Sequence, residues 1–282
     1  MLDVGISTGL FYHKDIFSCL DKIKNAGFKN VELWAGAKKW GRNTHFNYND
    51  GDVLEKIKSH LREMNLNVCS INAPFSGLLD ISSVDEMQRN IAVNEIKKAV
   101  NICEFFETEH LIIHPCVKVF PVKDIEFIRK KTARIKKSME QICENALLHR
   151  VKVSCENPAP HLLGGWAADL LEIISDFPKE VIGVCLDTGH ANMIGNPSEF
   201  LRDISARLFT LHVSDNDGSY SAHLPPGQGK IDWDEFAAAL RDADFNGIFM
   251  LEILGSSRFE DPDEVLRISY NKAKEVAAKT GK

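Results

Sequence analysis

The stretch Gly183-Val184-Cys185-Leu186-Asp187-Thr188-Gly189-His190 carries the strongest indication of the fold. A short apolar run ends on a carboxylate, and a Thr-Gly turn and an imidazole follow. Apolar runs of this length that close on a turn are typical of parallel strands buried on both faces. A buried carboxylate needs a partner. Asp187 is therefore expected either to cap the segment that follows it or to belong to a functional site.

Similar apolar runs recur along the chain, and a helical pattern follows each of them. The predicted strands are 4–7, 30–34, 67–72, 110–114, 151–156, 182–187, 208–213 and 248–253. The predicted helices are 14–26, 52–64, 84–106, 124–149, 166–176, 197–205, 233–241 and 263–278. Eight alternating pairs without a linker or a glycine-rich phosphate loop predict a single-domain (β/α)8 TIM barrel over residues 1–282. An open doubly wound sheet would require such a loop.

Composition narrows the class of protein. The chain is 44% hydrophobic and 26% charged, which is typical of globular domains. Its net charge of −6 disfavours a dedicated nucleic-acid binder. Seven cysteines without a Cys-x-x-Cys pair indicate reduced core residues. No targeting segment or membrane-spanning run is found in the sequence, so we expect a cytoplasmic protein that binds neither nucleic acid nor membranes.

Polar, metal-capable side chains end seven of the eight predicted strands. A TIM barrel carries its active site at the C-terminal ends of its strands, so all of them are expected on one rim. They are Glu32, Asn72, His114, Glu156, Asp187, His212 and Glu252. The opposite strand ends carry no comparable set, which makes a chance arrangement a poor explanation.

Four of these residues, from strands five to eight, predict a metal site: Glu156, Asp187, His212 and Glu252. Three carboxylates that converge on one rim would repel one another, and a divalent cation would relieve the repulsion. Oxygen-rich ligation favours Mn²⁺ first, with Mg²⁺, Co²⁺ or Zn²⁺ as alternatives. An ion-pair network with lysines or arginines is the competing explanation, but basic residues are scarce at these strand ends.

A second group of residues on the same rim is expected to contact substrate. Three histidines, His114, His190 and His223, could bind substrate hydroxyls or a second metal. Glu32 is expected beside the substrate or paired with a neighbouring base. Trp34 could form a wall of a sugar-sized pocket, although core packing explains it nearly as well.

These residues carry a family resemblance that spans most of the chain. The sequence resembles the xylose isomerase-like barrel superfamily, which includes sugar isomerases and epimerases, inosose dehydratases and endonuclease IV-type (AP endonuclease family 2) repair enzymes. The matching segments are Val31-Glu32-Leu33, His114-Pro115, Glu156-Asn157, Leu186-Asp187-Thr188-Gly189-His190, Leu211-His212-Val213-Ser214-Asp215, His223-Leu224-Pro225-Pro226-Gly227-Gln228-Gly229-Lys230-Ile231-Asp232-Trp233 and Leu251-Glu252. The segment that begins at His223 is the most specific of them.

The resemblance implies a divalent-metal-dependent sugar isomerase or epimerase. Glu156, Asp187, His212 and Glu252 would bind the metal, and Glu156 and Glu252 would also exchange a proton next to a chelated carbonyl. His190 would contact the substrate, as would His223. The substrate would be a small sugar or polyol derivative, and a homo-oligomer is left open.

Three positions depart from the related families. Asn72 and Ser221 stand where endonuclease IV-type enzymes carry two further zinc ligands, and Gly218 stands where the ketose 3-epimerases carry a substrate-binding arginine. The first two departures disfavour DNA repair, and the third puts the particular ketose substrates in doubt. An inosose-type dehydratase, an endonuclease IV-type phosphodiester hydrolase and a non-catalytic sugar-binding barrel remain the alternatives.

Overall fold

The computed structural model describes residues 1–36, 46–118, 124–255 and 259–281. The strands are β1 (Val4–Ser7), β2 (Asn30–Trp34), β3 (Asn67–Asn72), β4 (His110–Ile113), β5 (Lys152–Glu156), β6 (Ile182–Asp187), β7 (Leu208–His212) and β8 (Phe249–Leu251). The helices are α1 (Ile16–Asn25), α2 (Gly51–Glu63), α3 (Glu86–Phe105), α4 (Ile125–Leu148), α5 (Ala167–Ile174), α6 (Thr188–Asn192), α7 (Pro197–Ile204), α8 (Trp233–Asp242) and α9 (Pro262–Ala278). Two short 3-10 helices cover Thr8–Phe11 and Ser205–Arg207.

The eight strands form one parallel sheet that curls into a barrel. Their order is β7-β6-β5-β4-β3-β2-β1-β8. The two ends of the sheet meet at a parallel bridge between Val213 and Leu251, where the Val213 amide donates to the Met250 carbonyl at 2.8 Å. The Glu252 amide donates in turn to the Val213 carbonyl at 2.9 Å. The predicted (β/α)8 TIM barrel is confirmed.

Alternation along each strand separates the hydrophobic core from the barrel interior. Val31 and Leu33 of β2 are fully buried in the hydrophobic core, between the sheet and the surrounding helices. Because successive side chains point to opposite faces of a strand, Glu32 lies on the interior face. The same alternation in β6 places Val184 in the core and Asp187 at the interior end. Strands buried on both faces thus deliver polar side chains to one rim.

Aspartates start most of the helices that follow strands. At seven helices the side chain of the preceding aspartate accepts a backbone N–H of the first turn, and these aspartates are Asp15, Asp50, Asp85, Asp124, Asp187, Asp232 and Asp261. Each cap satisfies an amide that has no partner within its helix and stabilises the helix by about 1 kcal/mol. Since these loops lie at the C-terminal ends of the strands, the caps also order the rim.

The predicted element boundaries differ from the observed ones at the rim. The sequence predicts strands through His114 and Ile253, whereas β4 ends at Ile113 and β8 at Leu251. His114 and Glu252 therefore project from the first residue after a strand. The short helix α6 was not predicted, because the Thr-Gly pair at its start is typical of a turn.

No helix in the described ranges is long and apolar enough to cross a membrane. All seven cysteines lie within those ranges, and each has a free thiol. The cytoplasmic location and the homo-oligomer stay predictions.

Candidate active site

The four predicted metal ligands meet at one point on the rim. One donor atom from each of Glu156, Asp187, His212 and Glu252 lies within 4.8 Å of the donor atoms of the other three. His212 Nδ1 lies 3.3 Å from Glu156 Oε2 and 3.5 Å from Glu252 Oε2. All four side chains are buried. The structure thus brings together residues that β5, β6, β7 and β8 deliver separately.

Asn157, which sequence reasoning did not assign to the site, holds Asp187 in place. The Asp187 amide donates to Asn157 Oδ1 at 2.7 Å, and Asn157 Nδ2 donates to the Asp187 carbonyl at 3.1 Å. Asp187 Oδ1 accepts the His190 amide at 2.7 Å and caps α6. Both expectations for Asp187 are therefore compatible, because one carboxylate oxygen caps the helix and the other faces the site.

Three of the atoms that could bind a metal ion make no hydrogen bond within the described part of the chain. They are Glu156 Oε2, Asp187 Oδ2 and His212 Nδ1. Buried polar atoms normally have partners, and leaving them without one is costly. A divalent cation bound by all three, with Glu252 as a fourth ligand, would satisfy them together. Carboxylate and imidazole donors suit Mn²⁺, Mg²⁺, Co²⁺ and Zn²⁺, so the residues fit such an ion.

The cluster shifts the pKa values of its members in different directions. Burial would raise the pKa of Glu156, but the neighbouring imidazoles of His114 and His212 hold it well below its ordinary value. Burial raises the pKa of Glu252 well above its ordinary value, and the charges of Glu156 and Asp187 add to the rise against the opposing effect of His212. Two carboxylates with opposite shifts in one site are typical of an acid and base pair.

Three histidines surround the carboxylates. His114 Nε2 lies 3.2 Å from Glu156 Oε2. His190 Nδ1 lies 3.0 Å from the Asn157 carbonyl, and His223 Nδ1 lies 3.0 Å from the Glu252 carbonyl. Because a carbonyl only accepts, both Nδ1 atoms are the donors. Burial lowers the pKa of His223, which favours a neutral ring with a lone pair on Nε2.

A cavity of about 300 Å³ opens above the cluster. Its lining includes the predicted residues Trp34, His114, His190 and His223, together with Glu156 and Glu252. The His114 ring stacks on Phe75 at a centroid distance of 3.9 Å, and Phe75 lies 6.0 Å from Trp34. The volume is at the lower end of the range for small-molecule pockets.

Of the two placements expected for Glu32, the structure shows it paired with a neighbouring base. It is fully buried and is not among the residues that line the cavity. Its Oε2 lies 2.9 Å from His212 Nε2 and accepts the Ser70 hydroxyl at 2.7 Å. The base that pairs with Glu32 is therefore His212. The other ring nitrogen of His212, Nδ1, faces the carboxylates.

A single buried carboxylate organises the loop that carries His223. Asp215 accepts the amides of Gly227 at 2.8 Å and Ile231 at 3.3 Å, and the indole N–H of Trp233 at 3.0 Å. His223 has a φ of +45°, which is uncommon for a residue with a side chain. Asp215 belongs to a segment that carries the family resemblance, but the sequence indicates no role for it, because most of its partners are backbone amides.

The three residues that differ from the related families, Asn72, Ser221 and Gly218, make different contacts in the structure. Asn72 Nδ2 donates to Glu252 Oε1 at 3.5 Å. The Ser221 hydroxyl is buried and makes no hydrogen bond within the described ranges. Gly218 has a φ of +89°, a conformation that favours glycine. Asn72 is thus part of the carboxylate cluster, although it brings no charge to it.

The chain is similar in sequence to proteins with different assigned activities. An uncharacterized protein of Methanocaldococcus jannaschii is 26% identical over 253 residues, which is 88% of this chain and 82% of that protein. The inosose isomerase of Bacillus subtilis is 23% identical over 186 residues, 63% of this chain and 66% of that protein. The probable endonuclease 4 of Persephonella marina is 23% identical over 268 residues, 88% of this chain and 90% of that protein.

The fold is shared with a solved structure described as a D-tagatose 3-epimerase-like protein. The TM-score is 0.83 at 23% identity, and the match covers 99% of this chain and 100% of the other. A family model described as xylose isomerase-like TIM barrel matches residues 20–275. The predicted superfamily is confirmed, and the chain belongs to the xylose isomerase-like TIM barrel family.

Proposed function

We propose that this protein is a divalent-metal-dependent isomerase or epimerase that acts on a sugar or a sugar derivative. The observation that carries the proposal is the buried cluster of three carboxylates and one imidazole, with three donor atoms that make no hydrogen bond in the described ranges. The similarity to an inosose isomerase and the shared fold with a D-tagatose 3-epimerase-like protein support a sugar as the substrate.

In this proposal Glu156, Asp187, His212 and Glu252 hold the cation, and Mn²⁺ is the leading candidate because most of the donors are carboxylate oxygens. A bound cation would polarise the substrate carbonyl and make the hydrogen on the adjacent carbon more acidic. All four side chains are buried, so solvent screens their charges little and the charge interactions in the site are strong.

Glu156 and Glu252 carry the proton transfer. Both line the cavity, and they come from β5 and from the residue after β8. One carboxylate removes the proton from the carbon next to the carbonyl. The other returns a proton to the opposite face in an epimerisation, whereas an isomerisation returns it to the neighbouring carbon.

The histidines orient the substrate. His190 and His223 line the cavity, and the hydrogen bonds from their Nδ1 atoms to backbone carbonyls fix both rings for contact with substrate hydroxyls. Trp34 and Phe75 supply aromatic surface against which the carbon skeleton packs. These contacts hold the reacting carbon between the two carboxylates.

The test is a panel of ketoses and inososes incubated with the Mn²⁺-loaded protein in heavy water. Deuterium is expected at the carbon next to the carbonyl, both in the product and in recovered substrate. A product without carbon-bound deuterium would indicate a hydride shift instead. Loss of water from the product would identify the inosose-type dehydratase, which begins with the same proton removal.

A phosphodiester hydrolase is the second candidate, because a probable endonuclease 4 is similar over most of its length. Asn72 and Ser221 supply no anionic or imidazole ligand at the two positions where a three-zinc site would need them. We expect no efficient metal-dependent nicking of a duplex with an abasic site. Robust nicking would replace the sugar proposal with the hydrolase.

A further inference from the structure

Glu32 and His212 form a hydrogen bond across the interior of the barrel. Glu32 Oε2 lies 2.9 Å from His212 Nε2, and both side chains are fully buried. Their strands, β2 and β7, are not neighbours in the sheet. The carboxylate oxygen accepts this hydrogen bond, so Nε2 of His212 carries a proton.

Ser70 holds the same carboxylate oxygen from the other side. Its hydroxyl donates to Glu32 Oε2 at 2.7 Å. The register between β2 and β3 shifts after Val31, so that Glu32 pairs with Ser70 and Cys69 is skipped. The irregularity of the sheet thus places a hydroxyl donor beside the carboxylate, and two donors to one oxygen fix its orientation.

This arrangement determines which nitrogen of His212 can bind a cation. Since Nε2 keeps its proton for Glu32, the nitrogen left to bind a cation is Nδ1, the atom that lies 3.3 Å from Glu156 Oε2 and makes no hydrogen bond in the described ranges. We propose that Glu32 and Ser70 are positioning residues that select the His212 tautomer able to bind the metal through Nδ1. The inference rests on the metal site of the proposed function and assigns Glu32 to the metal ligand, not to the substrate.

A purely structural role for the pair predicts a different outcome. A buried carboxylate that only stabilises the barrel would lower the melting temperature when removed, with no selective effect on metal affinity. Partners of a metal-binding histidine typically contribute 10–100-fold in metal affinity. Glu95 is a suitable control, because it is a buried carboxylate on α3 that bonds to Tyr48 and Lys98, outside the site.

The experiment is calorimetric titration of the metal-free protein with Mn²⁺ and with Zn²⁺. We expect Glu32→Ala to weaken binding by about 10–100-fold. Glu32→Gln should fall between that variant and the parent, since the amide oxygen can still accept from Nε2–H. Ser70→Ala should weaken binding less than Glu32→Ala, and Glu95→Gln should leave it unchanged. Thermal denaturation checks each fold, and if Glu32→Ala does not fold, Glu32→Gln and Ser70→Ala decide the result.

Nitrogen-15 NMR of the Zn²⁺-loaded parent provides the second measurement. We expect His212 to carry its proton on Nε2 and to bind zinc through Nδ1. Zinc bound through Nε2 would overturn the inference, as would folded Glu32 and Ser70 variants that bind metal as tightly as the parent. A parent protein that binds no divalent metal would instead refute the metal site of the proposed function, so the two failures are distinguishable.

Discussion

The carboxylate of Asp187 serves the backbone of His190 and the candidate metal site at the same time. Its Oδ1 accepts the His190 amide at 2.7 Å, while its Oδ2 makes no hydrogen bond within the described ranges. The spacing of three residues that caps α6 also brings the His190 ring to the cavity. Local backbone geometry and site chemistry therefore depend on one side chain, and substitutions can separate them.

Asp187→Asn should keep the helix cap of α6 and remove the anionic metal ligand. The amide oxygen can still accept the His190 N–H, so the melting temperature of the metal-free protein should stay close to that of the parent. Asp187→Ala should lose the cap and cost about 1 kcal/mol of unfolding free energy. Both variants should bind Mn²⁺ at least about tenfold more weakly, because an anionic ligand is lost. Parental metal affinity in a folded Asp187→Asn protein would contradict the assignment.

Glu156→Gln and Glu252→Gln test the proton transfer. Each change keeps the size of the side chain and one ligand oxygen but removes the base, so turnover should fall by roughly a hundredfold or more. Metal content must be measured on the same samples, since weaker metal binding would also lower turnover. Parental rates in both variants at full metal occupancy would exclude these carboxylates as the acid and base.

In the metal-free protein, Glu252 should make the free energy of unfolding depend on pH. Below the unfolded value of about 4.3 the side chain is protonated in both states, and no penalty arises. As the pH rises, the unfolded chain loses the proton first, because the pKa of Glu252 is raised in the fold. The native state loses stability until the pH passes the folded pKa. The stability advantage of Glu252→Gln over the parent should therefore grow from about pH 5 upward.

Urea denaturation in chelator, at several pH values, measures this difference. Glu156→Gln provides the control of opposite sign. Because the pKa of Glu156 is lowered in the fold, that residue contributes stability above its unfolded value, which is lost as the pH falls through the folded pKa. Its replacement should therefore destabilise the metal-free protein at neutral pH. Equal shifts in both variants would show that the two carboxylates do not differ in environment.

Gly229→Ala should disrupt the loop that carries His223. A β-carbon at residue 229 would lie 2.1 Å from Asp215 Oδ1 and 2.3 Å from the Asn216 carbonyl, so the loop must shift. We expect a loss of about 1–3 kcal/mol of unfolding free energy, with a lower kcat/KM. The matched control is Gly51→Ala at the start of α2, where a β-carbon meets nothing within 4 Å. That change should be neutral or stabilise by about 0.4–1 kcal/mol, and equal effects at both positions would contradict the steric explanation.

The sequence predicts the barrel well because each strand is an apolar run and each helix has a clear period. Element positions follow from such local patterns, whereas ends depend on hydrogen bonds to other strands. Glu252 shows this: its amide donates to Val213, where β7 and β8 meet, and only the closed sheet determines that pairing.

The candidate site is predictable where its residues end strands, since the topology brings those ends together. The role of Glu32 was not predictable, because its partners Ser70 and His212 are reached through a register shift and a contact across the barrel. The role of Asp215 was not predictable for a similar reason. Its hydrogen bonds go mainly to backbone amides, and residue types do not indicate such bonds. Sequence reasoning thus finds the donors of a site more readily than the groups that orient them.

The ligands are unevenly distributed along the chain. All four come from β5 to β8 or the residue after β8, whereas the described part of the first four strands supplies no ligand and contacts the ligands only through side chains such as Glu32 and Asn72. An ion bound to the native state alone raises the free energy of every opening that separates its ligands. It would therefore slow amide exchange most in the second half of the barrel. Within one continuous sheet, the half from β5 to β8 would then resist local unfolding more than the half from β1 to β4, because only the first of these halves supplies ligands to the ion.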